Sequence, residues 1–327
     1  AGAGDYTLVS GPAPIAAGAL STSVHLAITD DSLDEAAETV VVTLSNPANA
    51  SLSANTAYTY TITDNDAPPS VEFTAASSAG LESVASVPLE ISLSAASGVD
   101  VTVDYSVTGG TASGDDYSLS SGTATITAGS LTANISLAVT DDALDEANET
   151  VVVSLSNPVS ATLGANTAYT YTITDNDAAP TVEFSIGSQV SAGEAGIMTV
   201  TVSLSGVSGL PVSVPYSVNG ASTASASDDY TIAPASPVVI PAGQASADLS
   251  IVINYDTRDE ADETVIVDLG APTNATLGAT TSHTATITDN DASPAIEFRS
   301  TTSTVAENAG SISIEIMTDA ISGLAAT

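Results

Sequence analysis

The sequence predicts an all-β protein, a tandem of antiparallel β-sandwiches joined end to end, and three observations predict it. Apolar and hydroxyl residues alternate in short runs. In "TAYTYTITD", Tyr58, Tyr60 and Ile62 alternate with Thr59, Thr61 and Thr63, which puts apolar groups on one face and hydroxyls on the other. Gly, Asn, Asp and Pro punctuate the runs, and no window carries a helical stripe. Finally, "TITDNDAPPSVEF" (residues 61–73) returns as "TITDNDAAPTVEF" (172–184) and "TITDNDASPAIEF" (286–298), at spacings of 111 and 114 residues. A repeat of that length, made of short strands, is one small sandwich.

Laid in phase, the repeats divide the chain into four pieces. Residues 1–67 match only the later part of a unit, because Asp5-Tyr6 corresponds to Asp116-Tyr117. Within them, "ETVVVTLSNP" (38–47) is expected to turn Val40, Val42 and Leu44 inward and to stop at Asn46-Pro47, and His25 is expected within an alternating strand. Residues 68–178 and 179–292 are complete units. Residues 293–327 match only the opening part, because Phe298 corresponds to Phe73. Two arrangements fit such ends: a window of a longer tandem array, or strand exchange between neighbouring subunits into a head-to-tail fibre. Counted from the phenylalanines, Thr327 corresponds to Thr102 and Ala1 to Ala112. A domain assembled from the two ends lacks "VDYSVTGGT" (103–111) and leaves unpaired edges, which favours the array.

Composition excludes several function classes. Acidic residues number 39 against two basic ones, for a net charge of −37, and the only cationic side chains are Arg258 and Arg299. Such a chain repels nucleic acid and anionic membrane surfaces, and its natural charged partners are cations. Cysteine is absent, so neither disulfides nor thiolate metal sites form. No apolar run approaches the roughly 18–20 residues of a spanning helix. An enzyme is not expected. His25 and His283 fall at non-equivalent positions, no GxSxG elbow or Gly-rich phosphate loop is present, and the three Phe each follow a linker, where a core role is expected.

The carboxylates are concentrated rather than spread. In the second unit they gather at Glu82, at Asp115 and Asp116, in "TDDALDEANET" (Asp141, Asp142, Asp145, Glu146, Glu149), and in "TDND" (Asp175, Asp177). The first unit repeats this with Asp5, Asp30, Asp31, Asp34, Glu35, Glu38, Asp64 and Asp66. The third repeats it with Glu194, Asp228, Asp229, Asp256, Asp259, Glu260, Glu263, Asp289 and Asp291. Like charges packed into a few turns repel unless a cation neutralises them. Hard oxygen donors without His or Cys suit Ca²⁺, which accepts 6–8 oxygens in flexible geometry. The alternative is acidic loops that serve solubility.

These residues carry a resemblance. "GTASGDDYSLSSGTATITAGSLTANISLAVTDDALDEANETVVVSLSNP" followed by "YTYTITDND" resembles the Calx-β domain, and "IEFRSTTSTVAENAGSISIEI" looks like that family's opening strands. "DNDAP" is also similar to the cadherin linker motif, but the DDxxDExxE loop together with GDDY is a Calx-β combination. The resemblance covers essentially the whole chain and implies seven-stranded immunoglobulin-like sandwiches with calcium ions clustered at one end. Carried over by position, the implied ligands of the second unit are Glu82, Asp116, Asp141, Asp142, Glu146, Glu149, Asp175 and Asp177. Those of the first are Asp5, Asp30, Asp31, Glu35, Glu38, Asp64 and Asp66, and Glu307 is the opening Glu of the last piece. In the third they are Glu194, Asp229, Asp256, Glu260, Glu263, Asp289 and Asp291. There Tyr255 stands in place of Asp141 and Arg258 in place of Leu144, so one ion is expected to be weakened or lost.

The expected function is a calcium-binding structural region of a large extracellular or cell-surface protein, an adhesin stalk or filament. Its partners are calcium ions and further repeats or copies of itself. A fibre subunit with strand exchange and a calcium-sensing regulatory module remain the competing readings.

Overall fold

The computed structural model describes residues 1–326; Thr327, the last residue of the expected final piece, lies outside them. Strands dominate, and among the described residues the single helical element is a 3₁₀ turn at Glu307–Ala309. The chain gathers into two compact units. One comprises Ala1–Asp142 with Asn148–Thr174, the other Ala143–Ala147 with Asp175 onward.

The first unit holds a complete sandwich. One sheet orders its strands Gly122–Ile126, Val101–Gly110, Glu149–Val159, Ala168–Thr174 and Ser77–Leu81. The other orders them Thr162–Leu163, Ser70–Phe73, Ser86–Leu93, Thr132–Val139 and Tyr117–Ser118. Alternation decides what faces inward: Val87, Leu89, Ile91 and Leu93 on one strand meet Ile135, Leu137 and Val139 on its neighbour. Phe73, fully buried, packs on Tyr169 with ring centroids 5.3 Å apart. Each such side chain contributes about 1.5–3 kcal/mol through the apolar surface it removes from water.

The second unit repeats the plan around Phe184, Val202, Ile240, Ile251 and Val265. Here the Phe packs on His283, which occupies the place of Tyr169, at 5.6 Å. His283 is fully buried, with Nδ1 2.8 Å from the Ile186 carbonyl, and its role is structural. The counterpart of Val101–Gly110 is split at Pro215: Val212–Val214 pairs with Val238–Ile240, and Tyr216–Val218 pairs with Glu263–Leu269. A proline lacks the N–H that a continuous ladder needs.

Two expectations are corrected. Each sandwich exceeds the seven implied strands because several strands break, and the departure from antiparallel pairing is confined to the opening strand, which breaks and changes sheets. Ser70–Phe73 lies in one sheet, and Ser77–Leu81 crosses to pair in parallel with Ala168–Thr174. Ser188–Val190 does the same against Ser282–Ile287. His25, expected in a strand, precedes the short strand Ala27–Ile28 and lies in none.

Among the described residues, the terminal pieces form no sandwich of their own. In residues 1–67, Glu38–Thr43 pairs only with Ala57–Ile62, and Val40 is buried as expected. Leu44 is 53% exposed, Tyr58 68% and Tyr60 42%, although alternation turned them inward. Of the five strands that cover this face in the second repeat, only two have counterparts here, Tyr6–Thr7 and Ala27–Ile28, which pair with each other. At the other end, Ile296–Phe298 pairs with Ile316–Thr318, and Phe298 is 58% exposed.

Candidate metal centre

The sheet switch of the opening strand positions the acidic end. It carries residues 82 and 194 alongside the end of each repeat's last strand. The Glu82 N–H donates to the Thr174 carbonyl at 3.1 Å, and the Ser191 N–H to Thr286 at 2.9 Å. A second fixed bond recurs three times. The residue after each of the strands Ala27–Ile28, Thr132–Val139 and Ser246–Ile253 donates its N–H to the carbonyl of the Asp before the Tyr: Thr29 to Asp5 (2.9 Å), Thr140 to Asp116 (2.8 Å), Asn254 to Asp229 (2.8 Å). The Asp side chain then folds back to accept from its own turn, from the N–H groups of Gly2, Ser113 and Ser225.

In the first repeat all seven expected ligands line one cavity of about 230 Å³: Asp5, Asp30, Asp31, Glu35, Glu38, Asp64 and Asp66. Carboxylate oxygens of Asp5, Glu35 and Glu38 lie within 4.8 Å of one another. Partial burial, followed by the charges of Asp31, Asp5, Glu38 and Asp64, pushes the Glu35 carboxyl upward. Asp66 is pushed the same way by burial and then by Asp64, Asp30, Asp31 and Asp34.

In the third repeat the seven expected residues form two neighbouring groups. Glu194, Asp289 and Asp291 bring oxygens within 4.8 Å of one another, and so do Asp229, Asp256 and Glu260. Asp229, Asp256, Glu260 and Glu263 also line an open cleft with Arg258, Ala320 and Ile321. Glu194 is only 8% exposed. Its Oε2 and Asp291 Oδ2 are buried without a hydrogen-bond partner among the described residues. Carboxylates are acceptors only, so two of them facing each other need a shared proton or a cation between them. Burial, then the charges of Asp289 and Asp256 and the contact with Asp291, push Glu194 up to about 7. Glu263 is pushed upward by burial and by Asp229, Glu260 and Glu194. Arg258 Nη1 pairs with Glu260 Oε1 at 3.2 Å, so the residue that replaces Leu144 occupies one expected ligand.

Of the second repeat's expected residues, Glu82, Asp116, Asp141, Asp142 and Glu149 belong to the first unit; Glu146, Asp175 and Asp177 belong to the second. Glu82 is 6% exposed. Burial pushes Asp175 upward, against backbone hydrogen bonds from Asp177 and Glu146 that pull it down. Glu307, unlike Glu82 and Glu194, is exposed, on the 3₁₀ turn of a piece with no sandwich to bury it.

Raised carboxyls set the pH response of the metal-free protein. Folded Glu194 holds its proton to about pH 7 while an unfolded Glu releases it near 4.5. The stabilisation is therefore full below about pH 4.5 and lost as pH rises through 7. Without metal, the second unit is expected to melt several degrees higher at pH 5.5 than at pH 8, about the size of a 1–2 kcal/mol change. Differential scanning calorimetry of the metal-free chain at both pH values checks the sign.

Sequence reasoning missed two sets of acidic residues. Glu72 and Glu183, in the "VEF" strands, bind loops instead of the metal end. Glu72 Oε2 accepts from the Ala165 and Asn166 N–H groups at 2.8 and 3.1 Å, and Glu183 Oε2 from Ala279 and Thr280 at 2.9 and 3.1 Å. Asp34, Asp145 and Asp259, assigned to the clusters but to no ligand set, point to the following repeat. The signal for both was a glycine in phase with each.

The Calx-beta domain family model matches residues 1–66, 64–177 and 175–291. No curated protein matches the chain. Among solved structures, the chain is similar to CBD12 from CALX1.2, at 19% identity over 67% of this chain and 99% of that one, with a TM-score of 0.33. It is also similar to the calcium binding domain CBD12 of CALX1.1, at 18% identity over 66% and 98%, TM-score 0.33. A two-domain protein from Bacteroides fragilis matches at 9% identity over 57% and 84%, TM-score 0.27.

Proposed function

The chain belongs to the Calx-beta family, and from that premise we propose that it is a calcium-binding structural repeat region of an extracellular or cell-surface protein, in which calcium at the sandwich ends stiffens the array. The observation that carries this reading is the buried pair of carboxylate oxygens on Glu194 and Asp291, without a hydrogen-bond partner among the described residues, inside a triad that a cation would neutralise once the shared proton is lost. The first repeat supports it with seven carboxylates around one small cavity. The donor set fits: all oxygen, several carboxylates, no imidazole or thiolate. Glu194, Asp289 and Asp291 would hold one ion and Asp229, Asp256 and Glu260 a weaker one, since Arg258 already neutralises Glu260. Asp5, Glu35 and Glu38, with their cavity neighbours, would hold ions in the first repeat. The chemistry a bound ion supplies is charge neutralisation, and no catalytic step is assigned.

The stiffening follows from where the charge lies. Each "DND" ends one repeat and is followed within a few residues by the next, through linkers carrying Pro68 and Pro69, Pro180, or Pro294. Without a cation, the linker carries several like charges at close range. Calcium titration of the whole chain with magnesium as control, following melting and small-angle scattering together, tests the proposal. A saturable rise in melting temperature is expected, worth about 2.7 kcal/mol per site at a hundredfold excess over Kd. A longer maximum dimension at every protein concentration should accompany it. A response no greater than magnesium's, or an unchanged dimension, would overturn it. Growth of the particle with concentration would favour a strand-exchanged fibre, to which the exposed Tyr58 and Phe298 faces lend themselves.

A further inference from the structure

One contact recurs three times at a fixed separation of 63 residues and belongs to no ligand set. In the first unit, the N–H of Gly98 donates to the Asp34 carbonyl at 2.9 Å, and the Ser97 hydroxyl donates to the same oxygen at 3.3 Å. In the second unit, Gly209 and Ser208 make the same pair of bonds to Asp145, at 3.0 and 3.2 Å. Gly323 and Ser322 make them to Asp259, at 2.9 and 3.1 Å. The Ser208 and Ser322 hydroxyls also reach the Asp carboxylate, at 3.0 and 2.7 Å. Each pairing is a parallel bridge between an acidic loop and a Ser-Gly turn of the repeat that follows it.

Each turn is also tied within its own repeat. The Ser97 carbonyl accepts the Gly129 N–H at 2.8 Å, and the Ser208 carbonyl the Gly243 N–H at 2.9 Å. Each Ser hydroxyl also accepts a backbone N–H two residues on, from Val99, Leu210 or Leu324. Ser97 and Ser208 are 1% exposed. The glycines are required by proximity. A Cβ on Gly98 would lie 2.6 Å from Glu35 Cγ, one on Gly209 2.5 Å from a Glu146 carboxylate oxygen, and one on Gly323 2.8 Å from a Glu260 oxygen. None of the three has a positive φ, so alanine there tests the approach and not backbone strain.

We infer that the Ser-Gly turn of each repeat is the socket that receives the Asp-Glu of the preceding repeat's acidic loop, and that seating this loop and filling its metal cavity are coupled. Asp34, Asp145 and Asp259 are docking residues. The adjacent Glu faces both ways: Glu35 packs on Gly98 and lines the 230 Å³ cavity. In the third repeat the next piece itself borders the cleft, through Ala320 and Ile321, just before Ser322. The socket stands on hydrogen bonds alone; the coupling rests on the calcium reading above. Linkage makes the coupling reciprocal: whatever factor calcium adds to seating, seating adds to calcium affinity.

The chain has no cysteine, so Thr59→Cys and Ser120→Cys place two spin labels in the first unit, on either side of the Asp34–Gly98 contact. The full chain carrying Gly98→Ala is compared with its parent in chelator and in calcium. In chelator, the variant should broaden the label distance distribution and lower the exchange protection of the residue-98 amide by about tenfold or more. Melting of the second sandwich should not change. Glu35→Ala added to Gly98→Ala removes the obstructing side chain and should restore seating, which a misfolded variant would not do. In calcium, Gly98→Ala should weaken binding several-fold. An unchanged distance distribution and unchanged protection in chelator overturn the socket. A displaced loop with unchanged calcium affinity overturns the coupling. Absence of calcium binding by the parent overturns the coupling and the proposed function together, while the chelator arm still decides the socket.

Discussion

Glu194→Gln should move metal-free stability and calcium binding in opposite directions. Glu194 is held at 8% exposure against Asp289 and Asp291, and Asp291 Oδ2 has no hydrogen-bond partner among the described residues. An amide removes one buried charge and can donate where two acceptors now face each other. At pH 8 without metal, the second unit should gain about 2 kcal/mol and melt several degrees higher, and its fall in stability between pH 4.5 and 7 should flatten. Calcium affinity at this triad should drop by at least about tenfold, because one charged ligand is lost. Scanning calorimetry and isothermal titration on the same preparation read both effects. A variant that melts lower without metal would show that Glu194 is held by bonds of its own, and would remove the case for a cation there.

The second large effect compares one residue with itself. Tyr60 and Tyr171 occupy the same place in "TAYTYTIT", 111 residues apart. Tyr171 is 2% exposed in the core of the complete sandwich, and Tyr60 is 42% exposed on a two-stranded ribbon. Tyr171→Ala should cost about 3–5 kcal/mol through lost burial and the cavity left behind. Tyr60→Ala should stay within about 0.5–1 kcal/mol. Denaturant unfolding of the two variants of the full chain checks the difference. Equal losses would mean that the face of Ala57–Ile62 is covered in solution, as strand exchange requires.

Much of the fold was legible because sandwich patterning is local. Val87, Leu89 and Ile91 alternate inward because neighbouring side chains on a strand point to opposite faces, a rule that needs no partner to be read. The acidic groups were legible for a related reason: turns that repeat in phase occupy the same end of each sandwich. What local patterning could not supply was the partner. It predicted an interior for Tyr58 and Leu44 and could not register that residues 1–67 lack the covering strands. It assumed seven antiparallel strands, and the break that sends Ser77–Leu81 and Ser188–Val190 to the opposite sheet leaves no periodic mark. Arg258 was legible as a departure in the third repeat, but only its 3.2 Å pairing with Glu260 identified which carboxylate it occupies.

By itself, then, the sequence determined the repeat length, the strand class and the turns in which the carboxylates gather. These follow from periodicity and turn chemistry. Tertiary structure alone decided which carboxylates lie within ligand distance of each other, that Glu72 and Glu183 serve loops, and that Asp34, Asp145 and Asp259 seat on a Ser-Gly turn 63 residues away. Those are contacts between segments far apart in the chain. They exist only once two sheets have packed and fixed the ends of their strands, and that packing is a property of the whole repeat.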